Sequence, residues 1–389
     1  MSPAVAWPVQ VRALFPEAPE FLIGRTAARS PAFTANDAAG GQPVLIGSAA
    51  GTERHDVTRR AEGELLERMH NVLAGHHATR RAVIGSYAAL HRAGRPTLDP
   101  WTWPDLQQVP GAREMELAWV EGTSLTGAGR LLVPACAVYL AHRPPAGCAA
   151  PLSPGSTGLA AHRSIAAARR HALLEVLERD LFRRAWYAGG PRVAPGDPTP
   201  LGEPLRRVLD ALGLRERCVV LPGPAGTACV VACLADADDT RQSFGARATD
   251  GALAPAAAAA VQEALMVRWS MDSAGARTAW TRLRADPYRR PSGPLEHALH
   301  TYHRQDSLTH LLHGAADGTW RAAPTTARDL PLLLAGHTGH DVIEVPTFVP
   351  ELGDATVIRV VAPGARRMPV DEPPQPATAT PSQPPHPLG

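Results

Sequence analysis

The stretch His171-Ala-Leu-Leu-Glu-Val-Leu-Glu-Arg-Asp180 decides how this chain reads. Glu175 and Glu178 are three apart, and Arg179 follows the first by four. On a helix those positions share one face. The helical pattern runs from His162 to about Tyr187 and meets a stop at Gly189-Gly190. The same grammar occurs upstream. Ala61-Glu-Gly-Glu-Leu-Leu-Glu-Arg68 supplies Glu64, Glu67 and Arg68 at identical spacing. A loop of small residues precedes each helix: Gly47-Ser-Ala-Ala-Gly51 and Gly155-Ser-Thr-Gly-Leu-Ala-Ala161.

Two readings compete for these glutamates. One is a surface face laced by i,i+4 ion pairs, worth a few tenths of a kcal/mol each. The other is a carboxylate cluster for a hard cation that carries a nucleotide. Mg²⁺ takes octahedral oxygen ligands, often one or two carboxylates plus phosphate oxygens. Small-residue loops let backbone N–H groups approach phosphate. No Walker A sequence occurs, which argues against a P-loop enzyme. A third helix, Gln262-Glu-Ala-Leu-Met-Val-Arg268, places Glu263 and Arg268 five apart. They straddle a face, and taken alone they read as surface decoration.

Composition narrows the classes. The 39 basic residues are all arginine and face 37 acidic ones, a net charge of +2. That excludes electrostatic capture of nucleic acid as the main design. Five cysteines, with no C-x-x-C pair, fit a reducing, cytoplasmic setting. Cys229 and Cys233 lie in an apolar run and read as core. The N-terminus lacks a signal-peptide pattern, and no run of about 18 apolar residues offers a membrane span. His297 with His300, and His310 with His313, are i,i+3 pairs. No cysteine or carboxylate completes a tetrahedral zinc set around them, so they read as surface or hydrogen-bonding residues.

Strands and helices interleave without a strict beat, which predicts an α+β or mixed α/β domain. Short strands are expected at 21–24 and 43–46, and helices at 57–74 and 80–95. A hairpin is expected from 114–121 and 131–140, with Pro134 marking an edge or bulge. Further on come a helix at 200–214, strands at 228–235 and 243–247, and a helix at 255–272. A polar, histidine-bearing region spans 276–325. Short apolar segments at 330–334 and 342–345 precede a last strand at 355–361. Residues 1–370 form one domain in this reading. From Asp371 onward, 7 of 19 residues are proline, so 371–389 reads as an extended tail with no core to join.

The three helices together resemble the YcaO family. The strongest part is Ser156-Thr-Gly-Leu-Ala-Ala161, followed by Ala172-Leu-Leu-Glu-Val-Leu-Glu-Arg-Asp180 and Trp186. Trp119-Val-Glu-Gly-Thr-Ser-Leu125, Val133-Pro134, Val138-Tyr139 and Val357-Ile-Arg-Val-Val-Ala-Pro-Gly364 also match. The azoline-forming cyclodehydratase branch is the most similar. The resemblance implies a YcaO-like fold with its nucleotide site between the glutamate helices. Glu64, Glu67, Glu175 and Glu178 become ligands of Mg²⁺ or of ATP-bound Mg²⁺. Arg68 and Arg179 become phosphate contacts or supports for the acids, with Arg268 as a further phosphate candidate.

It also implies a chemistry. A Cys, Ser or Thr side chain of a ribosomally made precursor peptide attacks the preceding amide carbon. ATP phosphorylates the resulting oxygen, phosphate leaves, and a thiazoline or oxazoline remains. Azoline-forming members often end in alternating prolines that reach the active site. Here Pro385 and Pro387 fit that alternation around His386, while Gly389 takes the last proline place. His386 would shuttle a proton there as an ordinary imidazole. The expected partners are the precursor peptide, a separate leader-binding protein and, as a homodimer, a second copy of the chain. Arg60, Ala167 and Met266 stand where relatives often have Ser, Glu and Gln, and His162 where the loop often closes with Gly. Two alternatives therefore stay open: a non-catalytic scaffold that binds peptide or partner, and an enzyme forming thioamide or amidine.

Overall fold

Buried positions alternate with exposed ones from Gly24 to Arg29 in Leu22–Arg29, which pairs to Val44–Gly51 and begins the fold as a β-meander whose small side chains admit a helix at close range. The computed structural model describes residues 7–13, 15–33, 44–127, 129–152, 155–286, 289–320, 329–369 and 384–388. In chain order, β1 (Gln10–Ala13), β2 (Leu22–Arg29) and β3 (Val44–Gly51) lead into α1 (Arg54–Thr79). Then come β4 (Val83–Gly85), α2 (Tyr87–Arg92), β5 (Leu117–Ser124), β6 (Arg130–Pro134), β7 (Leu159–His162) and α3 (Ile165–Ala188). They are followed by β8 (Val193–Pro195), α4 (Glu203–Ala211), β9 (Arg215–Pro222), β10 (Ala228–Ala235), β11 (Gln242–Thr249) and α5 (Leu253–Met271). The remainder is α6 (Ala274–Ala285), α7 (Pro294–Tyr302), α8 (Asp306–Leu312), β12 (Ala316–Gly318), α9 (Leu330–Thr338), β13 (Ile343–Pro346) and β14 (Thr356–Val361).

These strands form three sheets. The first has the order β1-β2-β3; the second has the order β4-β5-β13-β14-β7, with β6 on β5; the third has the order β11-β10-β9-β8-β12. All pairings are antiparallel except β8 with β12. Strands β3, β7 and β11 each end a sheet, and each runs directly into a long helix that folds back onto it: α1, α3 and α5. Each helix also touches the edge strand of the next unit. α1 meets β7, α3 meets β11, and α5 meets β3. The three strand–helix units thus close into a ring.

Burial explains the continuous apolar run of β10. Cys229, Val231 and Cys233 pack with α3, while Val230, Ala232 and Leu234 pack with α5. A strand covered on both faces has no polar side to alternate with. Gly47 and Gly245 hold β3 and β11 against their helices. A Cβ on Gly47 would overlap Ala61 O and Leu65 N, and one on Gly245 would overlap Ala260 O and Ala264 N. No described helix is long and apolar enough to cross a membrane.

The mixed α+β expectation holds, with local corrections. Residues 80–95 are not one helix. Val83–Gly85 pairs with β5, and Ser86 then caps a short helix by accepting from Ala89 N at 3.2 Å. The returning hairpin strand stops at Pro134 and passes into a 3₁₀ turn at Ala135–Ala137. Arg215–Pro222, not expected as a strand, pairs along the whole of β10. The polar region 276–325 holds α6, α7, α8 and β12, and His297 there is buried, not on the surface. The tail does join a core: Pro384 to Leu388 are buried, and Leu388 packs in the cluster around α3. Residues 371–383 and Gly389 lie outside the described residues.

Candidate functional site

An edge strand leaves backbone amides unpaired, and a buried amide needs an acceptor. Here the acceptors are glutamates. Ser48 N donates to Glu64 Oε2 at 2.6 Å, Gly158 N to Glu175 Oε2 at 3.2 Å, and Ala246 N to Glu263 Oε2 at 3.1 Å. The donor precedes the acceptor by 16, 17 and 17 residues. Each unit therefore ties its own helix to its own edge strand in the same way.

A second set of bonds crosses between units. Glu67 accepts from the Ala161 amide of β7. Glu178 accepts from Ala248 N of β11 at 3.0 Å. On α5 the matching position, three after Glu263, is Met266, so the junction of α5 with β3 has no such carboxylate. Arg60 lies at that junction instead, donating to Ala50 O at 2.5 Å and to Asp56 Oδ2 at 2.7 Å.

The result is a crowd of acids with embedded cations. Burial, and then the charges of Glu175 and Glu64, push the Glu67 carboxyl well above its usual range. Burial lifts Glu175 to about 7, with Glu178 adding and Arg179 opposing. Glu178 is also raised, by burial first, against the pull of Arg179 and Arg247. Burial works against a charged Arg179, yet Glu178, Glu263 and Glu175 together hold its proton more tightly. Arg359 donates to Gly155 O at 2.8 Å and faces Glu175 and Glu67; burial lowers it to about 10, still charged at neutral pH.

Two features fit a cation carrying phosphate. Carboxylates raised by burial, and then by neighbouring acids, are groups that a divalent ion would stabilise in ionised form. Arg247 Nε and Arg359 Nε are buried guanidinium donors without a hydrogen-bond partner among the described residues, and a buried unpaired donor is costly unless a ligand takes it.

Glu64, Glu67, Glu175, Glu178 and Arg179 form a chain of groups whose charges act on one another. Arg68 is committed to Glu64 at 2.5 Å and to Ile46 O at 2.7 Å, a support role. Arg268 stands apart, paired with Asp236 and lying over the Tyr302 ring. Pro385, His386 and Pro387 are buried beside α3, and His386 feels the charge of Arg179. It is not the ordinary imidazole expected: burial, and then His297, lower it to about 3, so it is neutral at physiological pH. Glu263, Arg247 and Arg359 were missed as site residues. Glu263 carried a readable signal, since Gly245 precedes it by 18 residues much as Gly47 and Gly158 precede Glu64 and Glu175 by 17.

With this geometry in view, the family model described as YcaO cyclodehydratase, ATP- and Mg²⁺-binding, matches residues 49–366. The chain belongs to the YcaO family. ATP and Mg²⁺ are the chain's cofactors. Among solved structures, a heterocyclase in complex with substrate and cofactor is 17% identical with a TM-score of 0.67. The match covers 92% of this chain and 50% of that one, so the chain spans half the heterocyclase's length. A YcaO protein from Methanopyrus kandleri bound with AMPPCP and Mg²⁺ is 20% identical with a TM-score of 0.60, covering 93% and 85%. The E. coli microcin synthetase McbBCD complex gives 14% identity and a TM-score of 0.62, covering 93% and 90%. These likenesses establish the YcaO fold.

Proposed function

We propose that this chain is the ATP-dependent cyclodehydratase component that converts Cys, Ser or Thr of a ribosomally made precursor peptide to thiazoline or oxazoline. The observation that carries this reading is the pinned acid cluster: Glu64, Glu67, Glu175, Glu178 and Glu263, each held by one backbone amide in, or next to, an edge strand. In it Glu64, Glu67, Glu175 and Glu178 would hold Mg²⁺. Bound ATP supplies the phosphoryl group that turns an amide oxygen into a leaving group, with Mg²⁺ offsetting its charge.

The chain's own part is positional and electrostatic. The amide bonds fix the carboxylates before any ligand arrives, so little ordering is left to do on binding. Arg247 and Arg359 offer their unpaired Nε donors to phosphate oxygens. Arg179, held charged by three glutamates, favours the ionised forms of Glu175 and Glu178 against their burial. Burial of the cluster strengthens each of these interactions. Neutral His386, beside Arg179, serves as a hydrogen-bonding group for the peptide amide and not as a free proton shuttle. The peptide arrives on a separate leader-binding protein, in keeping with the multi-protein microcin synthetase assembly.

A second reading is favoured by one observation: the α5–β3 junction carries Met266 and Arg60 where a third polar ligand would complete the ring. On that reading the chain is a non-catalytic scaffold that binds peptide or partner. Incubation of the chain with ATP, Mg²⁺, precursor peptide and leader-binding partner separates the two. Cyclodehydration predicts phosphate release together with loss of one water per ring from the peptide. Nucleotide binding without either product supports the scaffold. Phosphate release with sulfur incorporated in place of oxygen points to thioamide formation.

A further inference from the structure

Residues 384–388 contain three prolines, so the segment can offer N–H groups only at His386 and Leu388. It presents mostly carbonyls, and a buried carbonyl needs a donor from elsewhere. Two side chains from different helices meet that need. Trp186 Nε1 on α3 donates to Pro384 O at 2.9 Å. His297 on α7 faces His386 O through Nδ1 at 3.2 Å. The His297 ring also lies flat on the His386 ring, with centroids 3.7 Å apart and planes 18° apart. His386 Nε2 in turn lies 3.0 Å from Pro369 O, and Tyr187 meets its ring edge-on.

His297 is 1% exposed, and Trp186 is equally buried, yet neither belongs to the acid cluster. Their shared feature is the segment between them. We propose that His297 and Trp186 are positioning residues that clamp the C-terminal segment and seat His386 beside Arg179. This rests on the acid cluster being the ATP site, and it makes α7 a remote support of that site.

The clamp can be read without any turnover. Diethyl pyrocarbonate modifies accessible histidine rings, and mass spectrometry locates each adduct. In the full chain His386 should react slowly relative to exposed His55. His297→Ala should raise His386 modification about tenfold or more. His297→Phe keeps a ring to stack on and should restore most of the protection. Trp186→Phe keeps the ring and loses the donor, and should raise modification to an intermediate level. In turnover assays His297→Ala should lower kcat about tenfold and leave KM for ATP within about twofold. Combining it with deletion of residues 384–389 should cost no more than the deletion alone.

Unchanged protection of His386 in both His297→Ala and Trp186→Phe would overturn the clamp. So would additive losses in the combined variant. A chain that shows the labelling response but never hydrolyses ATP upholds the clamp while rejecting the proposed chemistry.

Discussion

Glu178 of α3 accepts the Ala248 amide of β11 at 3.0 Å, so a carboxylate expected to serve a ligand also ties one unit to the next. The two roles come apart on substitution. Glu178→Gln keeps an acceptor for Ala248 and loses the charge. It should change stability by less than about 1 kcal/mol while weakening Mg²⁺-ATP binding tenfold or more. Glu178→Ala leaves a buried amide unpaired and should cost about 1–3 kcal/mol. Thermal unfolding and calorimetric titration of both variants check this. Equal loss of stability in the two would show that the charge, and not the hydrogen bond, holds the junction.

Glu175 gives a pH dependence with a defined sign. Burial, with help from Glu178 against Arg179, raises it to about 7 from an ordinary 4.5. The folded chain therefore keeps a proton there that the unfolded chain releases. Stability from this group is full below about 4.5 and is lost as pH rises through about 7. Tm of the ligand-free chain should fall across that window. Affinity for Mg²⁺-ATP should rise across it, with proton release on binding, because cation and proton compete. Calorimetry in buffers of different ionisation enthalpy reads the proton directly.

Arg359 should prove a phosphate contact. Its Nε is buried and unpaired, and its charge faces Glu175 and Glu67. A hydrogen bond to a charged group is worth about 1.5–3 kcal/mol, so Arg359→Met should weaken ATP roughly 10- to 100-fold. Adenosine, which has no phosphate, should bind the variant and the parent alike. Parallel titrations with ATP and adenosine decide the matter.

Two glycines should respond in opposite directions. Gly63 lies within α1 with nothing near the place a Cβ would take, so Gly63→Ala should stabilise by about 0.5–1 kcal/mol. Gly47 meets the α1 backbone, and Gly47→Ala should destabilise by about 1–3 kcal/mol or more. Urea unfolding of the pair, with constant m-values, tests the close approach of β3 to its helix.

The repeated spacing of Glu64, Glu67, Glu175 and Glu178 was legible because helix periodicity converts spacing into a shared face. Arg247 and Arg359 were not legible. They lie on β11 and β14, and only the folding of those strands against α3 brings them to the acids. Glu263 is hidden because the arginine on its helix breaks the four-residue spacing of the other two, whereas the repeat common to all three lies between glycine and glutamate. Arg268, five residues after Glu263 instead of four, pairs with Asp236 in the turn between β10 and β11. The buried end of the tail escaped prediction because composition alone marks prolines as solvated. Composition says nothing of donors such as Trp186 and His297 waiting elsewhere in the chain.

The ring of three units has a consequence for biogenesis. Its last closure, α5 against β3, joins segments about two hundred residues apart in sequence. Contacts of such separation form late, after loop entropy has been overcome. On a ribosome, the first acids would emerge and fold long before Glu263 exists to complete their surroundings. Nascent chains should therefore gain nucleotide affinity abruptly, at a length just past β14, which pairs with β7 and carries Arg359, instead of by degrees.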